Sequence, residues 1–143
     1  MTDQQSLNSL DRQFASIRII YYFMFGSQVL YIYLSEVMLH LPVRQIAAFY
    51  QAIVAVCLCV LIVGIVLRKR LVDGPAAALR ANPDDLASLQ RWKAGQIATY
   101  ALAEAVVLFG FVVRVLGSGR PRAFVIYAAG LVFMTLWAPR RPQ

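Results

Sequence analysis

Ile46–Leu67, IAAFYQAIVAVCLCVLIVGIVL, carries no charged residue and is followed at once by Arg68-Lys69-Arg70. As a helix it would rise about 33 Å, which matches the roughly 30 Å hydrocarbon core of a bilayer. The basic run behind it is the flank expected where a span meets a headgroup layer. Three further apolar stretches follow the same logic: Ile17–Leu39, Ala94–Val113 and the shorter Ala123–Trp137. The last is brief enough that it would start near Pro121, tilt little or sit where the bilayer thins.

Composition agrees. Hydrophobic residues make up 60% of 143 and charged residues 15%, with a mean hydropathy of +0.63. Soluble domains carry about 25% charged residues. The expected fold class is therefore an all-α membrane protein, a four-transmembrane-helix bundle in one domain (residues 17–143). Residues 1–16 are polar and form an interfacial segment, in which Asn8 or Ser9 caps a helix; they do not resemble a signal peptide. The net charge of +7 brackets the spans instead of forming a nucleic-acid motif, so no nucleic-acid partner is expected.

Orientation follows from the basic residues near span ends. Arg12, Arg18, Arg68, Lys69, Arg70, Arg80, Arg91, Lys93, Arg140 and Arg141 fall on one side; Arg44, Arg114, Arg120 and Arg122 fall on the other. Ten against four places both termini in the cytoplasm, with a bacterial cytoplasmic membrane as the expected location. Trp92 and Trp137 fall at the same inner interface. That cationic rim would attract anionic lipid headgroups.

Between spans two and three, Asp73-Gly-Pro-Ala predicts a short interfacial helix capped by Asp73. Asn82-Pro-Asp-Asp predicts the start of the third span's helix, with Asn82 as its cap. Each of the two hairpins carries one glutamate, Glu36 and Glu104, and ends in a basic cluster, a weak sign of internal duplication.

Two stripes of small residues share one spacing: Ala48, Ala52, Ala55 and Cys59, and Ala94, Ala98, Ala101 and Ala105. Each lies on one helical face. Small residues let membrane helices approach closely, so both stripes are expected to pack helices, either within the bundle or against a second copy or another subunit. Cys57 and Cys59 are read as small apolar fillers; two residues apart, they cannot pair with each other on a helix.

The most informative polar residue is Glu104, within Ala101-Leu-Ala-Glu-Ala-Val-Val-Leu-Phe-Gly110. It lies about 15 Å from Ala94 along a helix, near the bilayer midplane. A carboxyl at that depth is expensive and is usually functional or paired. Burial favours its protonated form unless a cation is close. Tyr100, one turn earlier, is its expected hydrogen-bond partner. Near the outer end, Glu36 has His40, Arg44 and Arg114 as candidate partners. If their faces converge, Glu36, Gln28, Tyr31, His40, Gln51, Arg114 and Tyr127 would line an outward-facing polar pocket with Glu104 at its floor. His40 alone does not make a metal site, and the sequence names no cofactor.

The stretch Ala101–Val112 resembles the carboxylate helix of the ring proteolipid (c subunit) of rotary ATP synthases, which also sets a midplane acid among small and aliphatic residues before an aromatic and a glycine. That resemblance implies a proton or sodium site at Glu104. The chain departs from the family pattern in lacking a Gly-rich partner helix, in its longer polar loop and in Arg114.

Three function classes fit these features: a proton- or cation-linked small transporter or channel centred on Glu104, a non-catalytic subunit or scaffold of a larger membrane complex, and a membrane enzyme acting on a lipid-like substrate. The last lacks a nucleophile–base pair.

Overall fold

The structure, a computed structural model, describes residues 2–37, 47–82 and 85–139; within these the side chains of residues 2–11 and 47 are not described. Every described element is helical: α1 Thr2–Val37, α2 Ala47–Arg68, a π-helical turn Lys69–Asp73, α3 Gly74–Ala81, α4 Leu86–Val115 and α5 Arg120–Leu136. Three stretches are long and apolar enough to cross a membrane: Arg12–Val37, Ala48–Ala81 and Leu86–Val115. The chain is an integral membrane protein by that measure.

α4 is the hub. α1 runs parallel to it, as six successive contacts establish: Gln13 with Lys93, Phe14 with Trp92, Tyr21 with Tyr100, Ser27 with Glu104, Tyr31 with Phe111 and Glu36 with Arg114. α5 runs antiparallel, with Tyr127 against Gly110 and Gly130 against Val107. The α2 helix is also antiparallel, with Gly64 near Leu102 and Leu71 against Gly95. Among the described residues α1 and α2 do not form a packed pair. The two hairpins therefore differ: α4–α5 is tightly packed, whereas α1 and α2 meet only through α4.

Glycine permits the closest approaches. A Cβ on Gly130 would lie 2.4 Å from Val107 Cγ2, and one on Gly95 would lie 2.6 Å from the Leu71 carbonyl oxygen. This small-residue packing suits a lipid environment, where apolar contact alone gives helices little reason to associate. The core at the basic end of the bundle gathers Ile17, Val72, Leu79, Leu89, Trp92, Met134 and Trp137. Trp92 and Trp137, both read from sequence as falling at one interface, share this cluster and are buried in it. Trp137 sits over Gly64, and Arg68 Nη1 donates to its carbonyl at 3.5 Å, a cation at the negative end of α5.

Several local expectations are corrected. The polar prefix and the first span form one continuous helix, Thr2–Val37. The short helix after Asp73 exists, but α2, the π turn and α3 are continuous, and Asp73 makes no side-chain cap. π-helical insertions of this kind redirect a helix without ending it. Asn82 closes α3 through its backbone N–H, while Asp85 caps α4, accepting from the Ala87 and Ser88 amides.

The small-residue stripes do not pack within the chain as drawn. Ala48, Ala52, Ala55 and Cys59 are all exposed, as are Ala94 and Ala101; Ala98 and Ala105 are half-buried. α2 instead turns Ile53, Cys57 and Gly64 inward, because that face follows the antiparallel register set by the glycines.

Candidate functional site

Polar groups are distributed along nearly the whole α1–α4 seam. At the basic end Lys93 Nζ donates to Gln13 Oε1 at 2.8 Å. One turn further along α4 lies Gln96, buried, with Oε1 unpartnered; next comes Tyr100, fully buried, its hydroxyl unpartnered. Then come Glu104 and Ser27. Gln28 follows on α1 with 0% exposure and neither amide atom bonded. Beyond it the Tyr127 hydroxyl, from α5, donates to Ser35 Oγ at 2.8 Å. The seam ends in an ion-pair cluster: Glu36 Oε1 faces Arg114 Nε at 3.3 Å and Oε2 faces Arg120 Nε at 3.0 Å.

The centre of this row has a distinctive proton count. Ser27 Oγ lies 2.7 Å from Glu104 Oε1 and 2.7 Å from the Met24 carbonyl oxygen. A hydroxyl has one hydrogen to donate, so it cannot serve both oxygens fully. The Ser27 hydroxyl is thus shared between the Glu104 carboxyl on α4 and the Met24 carbonyl of its own helix.

Glu104 stands ten residues from Arg114 and eleven from Lys93, hence about 15 Å and about 16 Å along the helix. The charged groups nearest the two ends of the seam thus flank the carboxyl almost symmetrically. It is half-buried, at the edge of the α1–α4 contact, beside the exposed α4 face that carries Ala94 and Ala101. Buried amide and hydroxyl atoms without partners cost about 1–3 kcal/mol each. Gln28, Gln96 and Tyr100 together put several such atoms in one seam, on either side of the Ser27–Glu104 pair.

The expected site residues fare unevenly. Tyr100 lies one turn from Glu104, but its hydroxyl is not bonded to the carboxyl; the long side chain points back towards the helix N-terminus, as helical side chains do. Glu36 and Arg114 meet as expected, joined by Arg120. Gln28 and Tyr127 are buried in the same seam, and Tyr31 meets Phe111 with the rings tilted by 54°. Gln51 is exposed on α2 and is not part of the group. His40 and Arg44 lie outside the described residues. Among those residues no three His, Cys, Asp or Glu side chains come together as a metal site would require.

Ser27, Ser35, Gln96 and Arg120 were not picked out from sequence. A signal existed for three of them. Ser27, Gln28 and Ser35 fall at turn intervals on one side of α1, and Gln96 precedes Tyr100 and Glu104 at four-residue steps on α4.

Comparison with protein-family models, with curated proteins and with solved structures returns no match.

Proposed function

We propose that this chain is a four-span membrane protein that binds and passes protons, with Glu104 as the proton-binding group and the α1–α4 seam as the route. The observation that carries it is the Ser27–Glu104 hydrogen bond at mid-seam, flanked on both sides by buried, unpartnered polar atoms; in this reading a proton on Glu104 would let Ser27 turn its own hydrogen to the Met24 carbonyl, so that the pair acts as a one-proton toggle. Water bridging Gln96, Tyr100 and Gln28 would complete hydrogen bonds that the protein leaves open, and would link the toggle to Lys93 at one end and Glu36 at the other. In this arrangement both termini and the Arg68–Arg70 run lie in the cytoplasm, the Glu36–Arg114–Arg120 cluster lies at the outer rim, and α5 is the fourth span.

Glu104→Gln tests the proposal. The amide keeps the shape and can donate to Ser27 Oγ as the protonated acid does, so the fold is expected to survive. Proteoliposomes of the wild type are expected to dissipate an imposed pH gradient, read by an entrapped pH-sensitive dye, at least ten times faster than those of the variant. Equal rates at equal protein density would overturn it.

A second reading, a subunit of a larger membrane assembly, is favoured by α2. Its small-residue stripe, Ala48, Ala52, Ala55 and Cys59, faces away from the bundle. If that role is the principal one, neither form will carry flux and α2 will protect against crosslinkers only in the assembly.

A further inference from the structure

A cleft of about 430 Å³ opens at the basic end of the bundle, between α1 and the residues that follow α5; it is lined by Phe14, Arg18, Tyr21, Tyr22, Ala138 and Pro139. We propose that this cleft seats the headgroup of one anionic glycerophospholipid, with its phosphodiester on Arg18. The proposal requires only that the helices lie in a bilayer and is independent of proton transfer.

Four observations converge on that ligand. First, the Arg18 guanidinium stands 6.0 Å from the Tyr22 ring centroid, so the ring holds the planar fork at the cleft wall. A guanidinium offers paired donors that match phosphate oxygens. Second, among the described residues the ion pairs found are those of Glu36 with Arg114 and Arg120; none involves Arg18. Third, among the described residues the cleft lining holds the Arg18 cation and no carboxylate. An anionic headgroup neutralises that charge, whereas a zwitterionic one brings a second cation beside it, which favours anionic lipids.

The fourth observation is level. Contacts of Phe14 with Trp92 and of Tyr21 with Tyr100 bracket Arg18 just past Lys93, at the end where α2 finishes in Arg68. A phosphate at that height has its acyl chains running towards the bundle centre. Ile19, Tyr22 and Phe23 supply the surface for them, all strongly exposed on the outward side of α1. Basic pockets at the cytoplasmic ends of membrane helices bind lipid phosphates in this way, and the cleft volume lies within the range of small-molecule sites.

The test is native mass spectrometry of the full chain released from nanodiscs containing equal amounts of phosphatidylglycerol and phosphatidylcholine. Wild type is expected to retain one phosphatidylglycerol with at least fivefold preference. Arg18→Gln and Tyr22→Ala are expected to lose the preference, whereas Tyr22→Phe and the control Arg80→Gln keep it. Equal retention of the two lipids by wild type, or an unchanged preference in Arg18→Gln, would overturn the proposal. So would displacement of the retained lipid by millimolar inorganic phosphate, which would assign the cleft to a free anion.

Discussion

Gln28 is the most exacting residue in the molecule. It is fully buried, and neither amide atom has a hydrogen-bond partner. If its only role were to fill space, leucine would serve better, since burying an unbonded amide costs about 1–3 kcal/mol. Gln28→Leu is therefore expected to match or exceed wild-type resistance to denaturation in mixed micelles while lowering proton flux at least tenfold. A stability gain with flux intact would detach Gln28 from the route. Tyr100 illustrates the same scale from the sequence side. Its one-turn spacing from Glu104 was legible, but a spacing fixes backbone proximity only. Rotamer direction decides the partner, and Ser27 on another helix takes the carboxyl instead.

At the scale of elements, glycine separates contact from propensity. Gly130 meets Val107 so closely that a methyl group would collide at 2.4 Å, whereas Gly26 has nothing within 4 Å of an added Cβ. Gly130→Ala is expected to lower unfolding stability in mixed micelles by about 1–3 kcal/mol through overpacking. Gly26→Ala, with the same gain in helix propensity and no clash, is expected to be neutral or stabilising by up to about 1 kcal/mol.

The start of α4 carries a pH dependence. The Ser88 hydroxyl, then the Ser88 amide, hold the Asp85 carboxyl below the usual aspartate range. A folded-state value below the unfolded one means that the cap is fully effective above about pH 4, the ordinary aspartate region, and is lost as pH falls through the folded value. Amide exchange at Ala87 and Ser88 is expected to accelerate, relative to intrinsic rates, on acidification below that point, and to stay uniform across pH in Asp85→Asn.

For the whole molecule, the parallel run of α1 with α4 and the antiparallel runs of α2 and α5 make an alternating bundle with its charge divided between two ends. Epitope tags placed before Met1 and after Gln143 are expected to resist external protease in right-side-out vesicles, and a tag inserted at Gly119 is expected to be cleaved. Cleavage of a terminal tag with the Gly119 tag protected would invert the assigned orientation; a C-terminal tag cleaved together with the Gly119 tag would mean that α5 does not cross. Among the described residues the α2 face with Ala48, Ala52, Ala55 and Cys59 stays exposed.

Sequence alone determined that the chain is helical, that its long apolar runs can span a membrane, and that Glu104 and Glu36 are polar exceptions needing partners. These follow from length, composition and charge, which are additive along the chain. Helix faces were less legible: the alanine stripes have the right spacing, yet the buried side of α2 is the one with Ile53, Cys57 and Gly64. Only the tertiary structure decided that, because in lipid both faces of a span are apolar and hydrophobicity cannot choose between them. Close packing at Gly64 and Gly95 sets the register of α2 and the π turn, and close packing at Gly110 and Gly130 sets that of α5, each against α4; the α1–α4 register, which brings Ser27 to Glu104 and Arg114 to Glu36, rests on polar and aromatic contacts instead.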